Sequence, residues 1–226
     1  MSNVRPDPEQ RLRFRVCTPE DQAVAVPLMF NAGPDSYRYV FSQDNKNQAV
    51  DFLHYAYSNN VGEFSYSGHM LAFDGDTPVG IVGMWQPNEN FSHTLDAVKA
   101  IFSFYGWRKG FSVIRRGLKF ESIVQPPSGD VLCLHNFSVD ESQRSRGFGR
   151  EIIRYVCDSA RERGVSNVCL DVDQNNPRAR ALYLGQGFTV IRSTQGKLKG
   201  RFTSVGGHDY MEKSVQLLKD EASIRP

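Results

Sequence analysis

Two glycines set two residues apart, Gly147 and Gly149, stand where one hydrophobic pattern gives way to another. They belong to the stretch RSRGFGRE, Arg144 to Glu151. Upstream, VLCLHNFSV (131–139) is a short, nearly continuous apolar run, the signature of a buried strand. Downstream, Ile152, Ile153, Val156 and Ala160 recur at the helical period, and Gly164 supplies a C-terminal stop. The chain therefore has to pass from a strand through glycine straight into a helix. That turn brings free N–H groups and the partial positive charge of a helix N-terminus to the end of a strand. Glycine leaves the backbone bare enough to approach a ligand, and Arg144, Arg146 and Arg150 add charge. The predicted occupant is an anion, a pyrophosphate above all.

Two familiar phosphate loops do not fit. A P-loop needs G-x-x-x-x-G-K-[ST], which is absent. The dinucleotide fingerprint needs a third glycine where Ile152 stands.

The remaining pattern is α/β. RFRVCT (13–18) reads as a strand. Thr18 and Pro19 read as the N-cap and first residue of a helix that Pro27 is expected to kink or end. PDSYRYVF (34–41) reads as a turn and aromatic segment, and Val50, Leu53 and Tyr57 mark a further helix. HMLAFDGDTPVGIVGMW (69–85) is a hairpin about Gly75. Residues 86–129 read as an inserted helical pair, too short for a core of its own. After the glycine loop come a strand, NVCLDV (167–172), a short helix, NPRARALYLGQ (176–186), and a closing antiparallel pair, FTVIRST and HDYMEKSV. One domain is expected over 13–217, with a disordered lead-in (1–12) and a polar tail (218–226).

Composition narrows the function. A net charge of +2 over 226 residues argues against a nucleic-acid binder. No run is long and apolar enough to span a membrane, and the N-terminus has no signal-peptide core. The four cysteines show no C-x-x-C spacing and are expected to be reduced and buried, which suits the cytoplasm. The five histidines are scattered, so no metal site is expected.

Three blocks together resemble the GNAT superfamily of N-acyltransferases, which binds the pyrophosphate of acetyl-CoA. Arg144-x-x-Gly147-x-Gly149 fits the family's R/Q-x-x-G-x-G/A signature. VDESQRSRGFG extends it upstream through Val139 and Asp140, with Glu141 in place of the family's proline, which loosens the turn. NPRARALYLGQGF fits the downstream block through Asn176, Ala179, Leu182, Tyr183, Gly187 and Phe188. The blocks cover about Val131 to Ile191, and they are most similar to the branch of ribosomal-protein N-terminal acetyltransferases, which residues 86–129 do not resemble.

The resemblance implies a GNAT fold: a mixed central sheet, helices on both faces and a helical insertion before the cofactor strand. It implies acetyl-CoA as cosubstrate, with Arg144, Ser145, Arg146, Gly147, Phe148, Gly149 and Arg150 at the pyrophosphate and Asn176 at the cofactor. The strand before the loop is expected to bulge and splay from its neighbour. Phe137, Ser138 and Val139 would then pair with the pantetheine arm, and an N–H near Val139 would face the thioester oxygen. Tyr183 would serve the departing thiolate. Asp171 stands where the ribosomal branch has a glutamate base, and His135 is the second choice. Cys133 keeps a covalent route formally open.

The acceptor is then a primary amine, small molecule or protein. Arg108, Lys109, Arg115, Arg116 and Lys119 of the insertion suggest an acidic or large one, against the blander reading of a solvated face. The insertion's aromatics, Phe102, Phe104, Tyr105 and Trp107, read as packing. A non-catalytic acyl-CoA-binding module is the rival reading, and the retained Tyr183 and Asn176 argue against it. Assembly is left open, a homodimer included.

Overall fold

The computed structural model describes residues 11–87 and 90–215. Seven strands form the main sheet, in the order β1-β2-β3-β4-β5-β9-β6. They are β1 (Arg13–Val16), β2 (His69–Asp74), β3 (Thr77–Trp85), β4 (Val131–Val139), β5 (Asn167–Asp173), β6 (Thr189–Thr194) and β9 (His208–Ser214). β7 (Leu198–Lys199) and β8 (Ser204–Val205) make a separate small hairpin. β4 and β5 are parallel and all other pairs are antiparallel, so the sheet is mixed as expected.

Helices cover both faces. α5 (Phe148–Glu162) buries Ile152, Ile153, Val156 and Ala160 against Val79, Leu132, Leu134 and Leu170 on one face. α6 (Pro177–Gly185) adds Tyr183 to the same cluster, joined by Phe188 beyond it. On the other face lie α1 (Gln22–Ala32), α2 (Pro34–Phe41), α3 (Gln48–Ser58) and α4 (Asn90–Phe120). Their shared core is aromatic. The Phe41 and Phe52 rings stack at 4.5 Å, and Tyr105 of α4 donates to the Phe41 carbonyl at 2.6 Å. The insertion thus packs into the common core rather than forming one of its own.

Three local readings are corrected. Pro27 does not end α1, because it lies on the exposed face, where the Ala23 carbonyl deprived of its amide can reach water. Residues 34–41 are a helix, not a turn: Pro34 takes the first helical position, where its missing N–H costs nothing, and Tyr37, Val40 and Phe41 are buried. Arg11 and Leu12, expected within the lead-in, are packed against the domain. Leu12 is 3% exposed in the α5 core and its N–H donates to Glu151, while Arg11 pairs with Asp74 at 2.6 Å. Residues 1–10 and the expected tail lie outside the described residues. The insertion is two helical arms, as expected, meeting at Gly106 with φ 70.

Candidate active site

The site begins where β4 and β5 part. They pair through Val131–Asn167, Leu132–Val168 and Cys133–Cys169, and then no further. The cause lies in β4. Between its pairings His135–Gly83 and Ser138–Ile81 it carries an extra residue relative to β3. Asn136 takes the left-handed conformation there, φ 47, which Asn tolerates better than most residues. Before the bulge, Leu132 and Leu134 face α5; after it, Phe137 and Val139 do. Ser138 is turned to the opposite face, and its Oγ donates to the Leu28 carbonyl of α1 at 2.6 Å. The Asp140 N–H donates to Val79 of β3, so strand alternation turns the preceding N–H, that of Val139, toward the gap.

A side-chain network holds the bulge. Tyr37 of α2 donates to Asn136 Oδ1. Asn136 Nδ2 donates to His69 Nε2 at 3.0 Å, and His69 Nδ1 meets the Ser65 carbonyl at 2.7 Å. Burial pushes His69 down to about 4, so it is neutral and its Nε2 is free to accept. None of this was legible in sequence. The nearest signal was an asparagine inside an otherwise apolar strand.

The glycine loop closes one end of the gap. Gly147 is the N-cap of α5 with φ 91, and a Cβ there would touch no protein atom. Its need for glycine is therefore conformational, together with the space kept for a ligand. At Gly149 the need is steric, since a Cβ would come within 3.1 Å of Leu182. Glu141 does not loosen the turn as expected, because the Asp140 carboxylate accepts from the Ser142 N–H at 2.9 Å. Arg144 lines the cavity and donates from Nε to the Val139 carbonyl at 3.3 Å. Arg150 and Arg178 line it as well, and Arg178 reaches the exposed Ser145.

Two loop side chains are placed differently from the expectation. Arg146 is turned out to Asp74, 3.1 Å away, and lies over the Phe148 ring. The Phe148 side chain is 1% exposed in the α5 core, so only its backbone can meet a ligand.

A cavity of about 1120 Å³ runs from this loop through the gap to a chamber between α2 and α4. Asn176 borders it, and its Oδ1 caps α6 at the Ala179 N–H, as the N-cap reading expects. Tyr183 borders it too, packed on Phe137 and Phe188, and burial pushes its phenol up. On the opposite face, counting on from Cys133–Cys169 sets His135 and Asp171 at the first level where the strands have parted. Burial raises the Asp171 carboxyl to about 7, with Arg192 pulling the other way. His135 packs over Gly83 and edge-on to His69 at 5.2 Å. Cys133 and Cys169 lie beneath, Sγ to Sγ 3.0 Å, and this hydrogen bond together with burial pushes the Cys133 thiol far up. A protonated thiol is a poor nucleophile.

The basic residues of the insertion do not face the chamber. Lys109 pairs with Asp44 at 2.6 Å, Arg116 donates to the Ser42 carbonyl, and Arg108, Arg115 and Lys119 are exposed. Carboxylates line it instead, Glu63 and Glu121 among them. The expectation of an acidic acceptor is not supported by this placement. Of the insertion's aromatics, Phe104 and Tyr105 pack in the core, whereas Trp107 is 69% exposed and stacks on Phe102.

Parallel strands parted beside a helix N-terminus, with room between them for an extended thioester arm, define an acyl-CoA N-acyltransferase fold. The family model described as Acetyltransferase (GNAT) family matches residues 29–188, and the chain belongs to that family. The family's usual cosubstrate is acetyl-CoA, and the open loop, its cations and the gap suit it. The chain is 32% identical over 92 residues to GCN5-related N-acetyltransferase 6, chloroplastic, of Arabidopsis thaliana, spanning 41% of this chain and 30% of that protein. It thus covers under a third of that relative's length. It is 24% identical over 97 residues to [Ribosomal protein bS18]-alanine N-acetyltransferase of Haemophilus ducreyi, 38% of this chain and 67% of that one, in keeping with the ribosomal likeness. An N-acetyltransferase from Staphylococcus aureus Mu50 shares the fold at a TM-score of 0.61 and 15% identity, covering 89% of this chain and 100% of its own.

Proposed function

We propose that this chain is an acetyl-CoA-dependent N-acetyltransferase that moves acetyl to a primary amine by direct attack in a ternary complex. One observation carries the proposal: a single cavity joins the glycine loop, the parted strands, Tyr183 and Asp171. An amine attacks only when neutral, yet free amines are mostly protonated at pH 7. Asp171, with its carboxyl near 7, is suited to take that proton directly or through water, and His135 at the same level is the alternative. The Val139 N–H would stabilise charge growing on the thioester oxygen, a contribution of roughly 3–4 kcal/mol by comparison with oxyanion holes. Tyr183, kept protonated by burial, would hand its proton to the departing sulfur. The high thiol of Cys133 favours this route over an acyl-cysteine. Four free cysteines support a reducing compartment such as the cytoplasm.

The test is release of free CoA thiol from acetyl-CoA across an amine panel, with the acetylamine product identified by mass. Tight acetyl-CoA binding without turnover on any amine would favour the binding-module reading instead.

A further inference from the structure

We propose that the acceptor is a primary amine carrying a second positive charge a few carbons away, held by Glu63 with Glu121. This inference rests on the acetyl-transfer reading and adds the substrate class.

The cavity is polarised along its length. Its arginines, Arg144, Arg150 and Arg178, all stand at the glycine-loop end, where a pyrophosphate would neutralise them. The far chamber carries Glu63 and Glu121 and, among the described residues, no arginine or lysine lines it. The basic residues of α4 are spent elsewhere or face solvent.

Glu63 is the telling residue. Two other acids on the wall have protein partners: Asp35 meets Thr203 and Asp173 accepts from the Asn175 N–H. The Glu63 carboxylate has no hydrogen bond or ion pair among the described residues. Its side chain is open to the cavity, and desolvation by the surrounding walls, then Glu121, raises its carboxyl to about 7. Two carboxylates that repel each other on one cavity wall favour a ligand that brings a cation between them.

The position suits a short bifunctional amine. The Glu63 carbonyl accepts from Asn136 Nδ2, so Glu63 is tied to the β4 bulge, one residue from His135 and beside the gap. Apolar side chains, Phe41, Phe64, Ile101, Val113 and Ile114, line the chamber around it and would pack against methylenes. One amine would reach the thioester at the parted strands while the second charge settles between Glu63 and Glu121.

Three acceptors of similar size and different charge test this: 1,4-diaminobutane, n-pentylamine and 4-aminobutanoate. Thiol release gives kcat/KM for each with the full chain. We expect the diamine to exceed the monoamine at least tenfold, with the amino acid slowest. Glu63→Gln should cut the diamine-to-monoamine ratio at least tenfold, and Glu63→Lys should invert the order toward 4-aminobutanoate. The acetyl-CoA dissociation constant, measured by calorimetry on the same proteins, reports whether each variant is folded. Equal rates for diamine and monoamine, or an unchanged ratio in a folded Glu63→Gln, would overturn the inference and leave acetyl transfer standing. No thiol release from any amine would overturn both.

Discussion

Replacing Asp171 by Asn separates the chemistry of the site from its stability. The substitution keeps shape and removes the proton acceptor. Loss of a positioned general base lowers turnover by about 10²–10⁴. The pH profile should change as well. In the native chain kcat/KM should rise with pH through about 7 as Asp171 ionises, and the variant should lose that limb. Stability should move the opposite way. Burial raises the folded-state carboxyl from 3.8 to about 7, so the folded form prefers the proton. Ionising the group therefore costs stability, nothing below pH 4 and most above pH 7. A rise of that size corresponds to at most roughly 4 kcal/mol, and cavity water and Arg192 reduce it. We expect Asp171→Asn to gain about 1–3 kcal/mol at pH 8.5, or several degrees in Tm, and almost nothing at pH 4. Thiol release from pH 5.5 to 9 and thermal melts at both extremes read the two effects. An unchanged rate with the limb retained would pass the base role to His135 or a water chain. A lost rate with no pH-dependent gain in stability would show that Asp171 is not desolvated.

Gly147→Glu should abolish acetyl-CoA binding, since φ 91 disfavours a side chain by about 1 kcal/mol and the added charge would occupy the pyrophosphate seat; surviving affinity in calorimetry would remove the loop from the cofactor site. Tyr183→Phe should lower kcat about 10²-fold with Tm nearly unchanged, as the phenol has no hydrogen bond among the described residues to lose; an equal kcat would exclude Tyr183 from the proton transfer. Arg150→Ala should raise the acetyl-CoA KM severalfold while Arg146→Ala changes it less than about twofold, because Arg150 lines the cavity and Arg146 is turned out to Asp74; the reverse order would show that the Arg146–Asp74 pair opens on binding.

The strand, the glycine loop and α5 were readable in the sequence because their causes are local. Gly147 must reach φ 91, Ile152, Ile153 and Val156 must share a helix face, and a strand of apolar residues must end where the helix begins. Tyr183 and Asn176 were legible for the same reason, as positions on one short helix after Pro177. What the tertiary structure alone decided depends on residues far apart in the chain. The strands part because Asn136 is held out of register by Tyr37 and His69, from two other elements. Arg146 leaves the loop because Asp74, on a hairpin 72 residues earlier, is 3.1 Å away. Glu63 becomes a feature of the acceptor chamber only when a loop without regular pattern is tied to the β4 bulge and the turn after α4 brings Glu121 near it. Backbone conformation and periodicity are properties of neighbouring residues, whereas burial and charge in a cavity exist only once distant segments have packed.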